Sequence, residues 1–75
     1  MARRNTWDVE PNGGRWAVRR EGATRADSVF DRQQDAIRRG VELGEKHHGQ
    51  LRIKGEDGQI RDERTYTNDP YPPTG

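Results

Sequence analysis

The chain has 75 residues, no cysteine, 27% apolar and 36% charged residues, and a formal net charge of +1. That length sets one small domain near the lower limit for a self-sufficient core, and the missing cysteines exclude disulfide staples and thiolate zinc sites. No apolar run approaches the ~18 residues of a membrane span, and the basic start Met1-Ala2-Arg3-Arg4-Asn5 has no apolar stretch behind it to make a secretory signal, so a cytoplasmic protein is the simplest reading.

The first predicted element is a strand, because Thr6-Trp7-Asp8-Val9-Glu10 alternates apolar and polar residues with the period of a half-buried strand. Pro11-Asn12-Gly13-Gly14 is a turn cluster, and Arg15-Trp16-Ala17-Val18-Arg19-Arg20 alternates again. The two segments therefore form a β-hairpin with Trp7, Val9, Trp16 and Val18 on one face. A short third strand is placed within Arg25 to Phe30, after the break at Glu21-Gly22-Ala23.

A helix follows. Asp31 is the expected N-cap, with Gln34 completing a capping box. At about 100° per residue, Ala36, Ile37, Gly40, Val41, Leu43, Gly44 and His47 share one side, and Asp35, Arg38, Arg39, Glu42, Glu45 and Lys46 the other. The pairs Asp35–Arg39, Arg38–Glu42 and Glu42–Lys46 stand four apart, at ion-pair spacing. Gly40 and Gly44 lower helix propensity, so on the buried side they signal close approach to something bulky, for which a Trp of the first hairpin is the candidate. Gly49 is expected to end the helix in a left-handed cap.

Gln50-Leu51-Arg52-Ile53-Lys54 and Gln59-Ile60-Arg61-Asp62-Glu63 then flank Gly55-Glu56-Asp57-Gly58, a second hairpin signalled by Asp-Gly. The predicted fold is α+β: an antiparallel sheet of two β-hairpins, in the order ββ[β]αββ, with one amphipathic helix on one face. Residues 1–4 are read as a flexible start and 5–67 as the single domain. Residues 68–75 are read as a Pro-rich tail, extended and largely without hydrogen bonds.

Gly14-Arg15-Trp16-Ala17-Val18, then Ala26 and Phe30, then Gln33-x-Asp35-Ala36-Ile37, Asp57-Gly58-Gln59-Ile60 and Tyr66-x-x-Asp69-Pro70-x-Pro72-Pro73 form a series in order and spacing. In this series the chain resembles the small bacterial proteins catalogued as domain of unknown function 2188, over nearly its whole length. The resemblance implies a small α+β domain and no established activity. Members often carry a His just before the Gly of the final turn; Lys54 stands there in this chain, so a role needing imidazole at that position does not carry over.

Catalysis finds little support in the residues. Ser28 is the one serine, and the adjacent His47 and His48 diverge on a helix, so they cannot ligate one metal as residues four apart could. Asp57 and Asp69 each stand beside a turn former and are explained by bonds to turn backbone. The glycine clusters lead from strand to strand, and no helix N-terminus follows them to cradle phosphate. The chain is thus read as non-enzymatic, with no cofactor, no metal and no small-molecule substrate.

Two surfaces remain. With Trp7, Val9, Trp16, Val18, Leu51, Ile53 and Ile60 pointing inward, the outward alternates include Arg15, Arg19, Arg52, Lys54 and Arg61, a candidate basic patch with Asp8 and Glu10 diluting it at an edge. Such a face can meet nucleic acid, yet it carries no aromatic for base stacking. The Pro-rich end, through Tyr66, Tyr71, Pro72 and Pro73, is expected to lie across its own domain and cover a sheet edge, or to dock into a partner's groove. The first reading of function is protein–protein association including homodimerisation; weak nucleic-acid binding through the basic face is the alternative.

Overall fold

The computed structural model describes residues 5–66. Five strands and one helix follow in the order β1 Thr6–Asn12, β2 Arg15–Arg20, β3 Ser28–Phe30, α1 Gln33–His47, β4 Gln50–Lys54 and β5 Ile60–Thr65. They make a single sheet of order β3-β2-β1-β4-β5.

Both hairpins form where the local signals lie. Gly13 and Gly14, at φ 58° and 87°, bridge the facing pair Asn12 and Arg15. Two successive positive φ values give the turn whose twist matches the strands it joins. Between β4 and β5, the Gly58 amide closes on the Gly55 carbonyl at 2.9 Å and Gly58 takes φ 82°. Asp57 Oδ1 accepts the Gln59 amide at 3.0 Å, which is the turn-building role expected of it.

The sheet is mixed, which corrects the all-antiparallel expectation. β1 and β4 run parallel, with Thr6 opposite Gln50, Trp7 opposite Leu51, Asp8 opposite Arg52 and Val9 opposite Ile53. The cause is the path of the helix. β3 extends the sheet beyond β2, with Val29 opposite Ala17. α1 then crosses one face and returns the chain beside β1 in the same direction, as a parallel neighbour requires. β1 is therefore the central strand, and β3 and β5 are the edges.

Between the helix and the sheet lie Trp7, Val9, Val18, Leu51 and Ile53 from the strands and Ala36 and Leu43 from the helix, with Trp16, Phe30, Ile37, Val41 and Tyr66 packed against them. Ile60 does not join them. A register shift at Ile53/Lys54 sets it opposite Lys54, and it is 44% exposed on the other face.

The helix ends also differ from expectation. Arg32 occupies the N-cap position without a side-chain cap bond, and Asp31 instead accepts a hydrogen bond from Arg15 Nε at 2.9 Å. Gln33 Nε2 ties the first turn to the Lys54 carbonyl at 3.0 Å. At the other end His48, not Gly49, takes the left-handed conformation. Gly49 serves close approach, since a Cβ there would collide with the Asn5 carbonyl oxygen. Gly40 and Gly44 do mark tight contacts, but the neighbours are Leu51 and Tyr66. A Cβ on Gly40 would stand 2.7 Å from Leu51 Cδ1, and one on Gly44 2.6 Å from Tyr66 Cδ2. Trp7 lies further along, its ring centroid 5.8 Å from that of His47.

Candidate functional site

The sheet face away from the helix carries the charges that the alternation of β1, β2 and β4 sends outward. Asp8 is its centre and is only 2% exposed. From β4, Arg52 donates Nε to Asp8 Oδ1 at 2.7 Å and Nη2 to Asp8 Oδ2 at 2.9 Å, a bidentate grip. The same guanidinium reaches Glu21 at 3.4 Å. One step along, Glu10 receives Arg19 Nε at 2.9 Å from β2 and Lys54 Nζ at 3.3 Å from β4. Arg19 also donates Nη1 to the Ala23 carbonyl at 2.9 Å.

These contacts set the proton affinities. Burial pushes the Glu10 carboxyl up, but the hydrogen bonds from Arg19 and Lys54 outweigh it and hold the group below its ordinary value. The hydrogen bond to Asp8 raises Arg52, and that to Glu10 raises Arg19.

Of the five predicted patch residues, Arg19, Arg52 and Lys54 come together. Arg15 stands at the tip of the first hairpin and pairs with Asp31. Arg61 sits at the start of β5 and pairs with Asp57 at 2.8 Å. All five cations thus have a carboxylate partner. Asp8 and Glu10 do not dilute the patch at an edge, because β1 is central and puts them in the middle of it. The helix cations are likewise rearranged: Arg39 turns to Asp27 at 3.1 Å and Glu42 at 3.3 Å.

Tyr66 packs its ring on Gly44 at the helix flank. Tyr71, Pro72 and Pro73 lie outside the described residues. Two shallow concavities are lined without histidine or a nucleophile. One of about 300 Å³ lies between Phe30 and the helix residues Asp35, Arg38, Arg39 and Glu42. The other, about 210 Å³, lies among Pro11, Gly14, Arg15, Trp16 and Glu56. Among the described residues no group of three or more His, Cys, Asp or Glu could hold a metal ion, and no helix is long and apolar enough to cross a membrane.

The feature sequence reasoning passed over is the edge at β5. All six of its residues are exposed. The Tyr66 amide donates to the Gly49 carbonyl at 2.7 Å, so Tyr66 faces β4 with its backbone. In an antiparallel ladder alternate residues face alternate sides. Arg64, opposite Leu51, and Asp62, opposite Ile53, therefore also bond inward. Glu63 and Thr65 direct their amides and carbonyls to the open edge, while the register shift at Ile53/Lys54 breaks the alternation before Arg61. The sequence signal there is mixed: Ile60 to Thr65 has no Pro and no Lys, but Arg61, Asp62, Glu63 and Arg64 are charged, itself a common edge device.

No curated protein and no solved structure matches the chain. The sequence model of one family, described as an uncharacterised protein conserved in bacteria, matches residues 7–66.

Proposed function

We propose that this chain, which belongs to the bacterial family catalogued as domain of unknown function 2188, is a non-enzymatic module that works by protein–protein association, self-association included. The observation that carries the reading is the open backbone edge of β5, where Glu63 and Thr65 offer donors and acceptors that no strand of the described residues takes up. An exposed edge is a template for strand addition, in which main-chain bonds supply affinity and the facing side chains supply selectivity.

The alternative, a basic face for nucleic acid, is less favoured on electrostatic grounds. Phosphate would have to draw Arg52 away from Asp8 and Arg19 and Lys54 away from Glu10, leaving carboxylates uncompensated against the ligand's own charge. Amide hydrogen exchange separates the readings. Association through β5 protects the Glu63 and Thr65 amides on binding, while the inward Asp62 and Arg64 amides are protected beforehand. Unprotected Glu63 and Thr65 amides in a complex, or binding to an oligonucleotide that falls steeply with salt, would overturn it.

A further inference from the structure

Resting on that reading, we infer that the partner of β5 is a second copy of β5, paired antiparallel about a two-fold axis through Glu63. Three observations select this arrangement. The first is the direction of the backbone. Within the regular stretch Asp62 to Thr65, Glu63 and Thr65 face the open edge, and antiparallel pairing sets outward residue against outward residue. The two-fold must therefore pass through a residue pair and cannot fall between Asp62 and Glu63. The in-step register that sets Arg61 against Arg64 and Asp62 against Glu63 is excluded by geometry.

The second is charge. With the axis at Glu63, Asp62 of each copy faces Arg64 of the other, twice. Asp62 and Arg64 already lie 3.2 Å apart within one strand. Two copies thus close a ring of two carboxylates and two guanidiniums in alternation. These are the non-hydrogen-bonded positions, where facing Cα atoms stand about 4.5 Å apart, the closer of the two spacings. The like pair, Glu63 on Glu63, falls at the wider spacing of about 5.5 Å, and each Glu63 is held by its own Gln50 Nε2 at 3.1 Å. An axis one step away, at Asp62 or Arg64, also keeps inward residues opposite inward ones and is in phase, but it passes through a pair at the closer spacing. The axis at Arg61 sets Ile60 against Asp62 and shortens the overlap, and the axis at Thr65 runs off the end of the strand.

Counted as pairings, the remaining in-phase alternatives bring Asp62 onto Asp62 or Arg64 onto Arg64 at the close spacing, which like charges disfavour. The third observation is the strand itself. Its irregularity lies at Ile53/Lys54, ahead of Asp62, so Asp62 to Thr65 runs in unbroken register.

Sedimentation equilibrium of the whole chain, from low micromolar to near millimolar concentration, tests this, with Arg64→Glu, Asp62→Arg and the exchange Asp62→Arg/Arg64→Asp. Each single reversal turns two attractive pairs into two repulsive ones and should weaken the dimer by about tenfold or more; the exchange should restore it. Glu63→Gln should tighten it. Glu63→Pro removes an outward amide and leaves the β4 ladder intact, so it should abolish strand addition to β5 altogether. A chain that stays monomeric near millimolar concentration, or a dimer indifferent to the reversals, overturns the inference. If Glu63 and Thr65 become protected by a different protein strand while the chain is monomeric, the dimer falls and the association reading stands. If a complex persists unchanged in Glu63→Pro, both fall.

Discussion

Arg52 closes over Asp8 with two hydrogen bonds from neighbouring parallel strands, at 2.7 and 2.9 Å, and Asp8 is thereby left 2% exposed on what would otherwise be an open sheet face. Register makes the pair possible, since Asp8 and Arg52 are direct partners across β1 and β4. The guanidinium is the lid of the carboxylate, so the pair is tertiary structure more than surface decoration. Removing one member leaves a desolvated charge behind, which costs far more than a surface ion pair gives.

Arg52→Met should therefore destabilise the fold by about 2–4 kcal/mol, somewhat less than breaking a fully buried pair because the guanidinium keeps a quarter of its surface in water. Asp8→Asn in the same chain should recover part of that loss, since the uncompensated charge is gone. Urea denaturation of the two variants checks both numbers. A cost for Arg52→Met below about 0.5 kcal/mol, the level of an ordinary surface change, would contradict the lid.

Glu10 predicts an acid limb. Its folded-state affinity for protons is lowered, by hydrogen bonds from Arg19 and Lys54 that exceed the effect of burial. A carboxyl lowered on folding contributes stability that is complete above its unfolded value, about pH 4.3, and is lost as pH falls through the folded value. Stability followed from pH 5 downward should fall, and Glu10→Gln should flatten that part of the curve while lowering stability at neutral pH. Equal slopes in the two proteins would show that Glu10 is not the group responsible.

Gly44 and Tyr66 predict a change of sign. Alanine in an exposed helix interior is favoured over glycine by about 1 kcal/mol. At Gly44 the new Cβ would stand 2.6 Å from the tyrosine ring, so Gly44→Ala should destabilise. In a Tyr66→Ala background the obstruction is gone and the same change should stabilise. Thermal melts of the four proteins give the coupling directly, and additivity would mean that the ring does not rest on the helix.

How far the sequence could be followed depended on whether the cause was local. The Gly13-Gly14 and Asp57-Gly58 turns and the 3.6-residue pattern from Ala36 to His47 are local, and they placed both hairpins and the helix. The parallel seam between β1 and β4 joins residues over forty positions apart, and nothing in either segment announces it. From that one unseen pairing follow the central position of Asp8 and Glu10 and the pairing of Arg52 and Lys54 with them, whereas Arg19 meets Glu10 across the hairpin the turn had already placed. Ile60 was misplaced for a similar reason, because one shifted residue moves a side chain to the other face. The close neighbours of Gly40 and Gly44 were legible as a need for space; which side chains filled it was set by β4 and by the chain after β5.

The same pairing leads to the last prediction, on nucleic acid. Each Arg or Lys that moves from a carboxylate to a phosphate must give up a contact of 2.7–3.3 Å on the outer face. Binding of this face to DNA or RNA should accordingly be weak, and the slope of log affinity against log salt should stay below the value of roughly 3 expected if Arg19, Arg52 and Lys54 each neutralised a phosphate. Replacing Arg15, Arg19, Arg52, Lys54 and Arg61 together should leave that weak binding unchanged in any variant that still folds. Because Arg52 supports Asp8, Arg15→Gln/Arg19→Gln/Lys54→Gln/Arg61→Gln serves as the folded control, with fluorescence anisotropy of a labelled oligonucleotide as the readout. A steep salt slope that this variant abolishes would make the outer face a nucleic-acid surface, and would mean that its carboxylates order the cations for phosphate instead of occupying them.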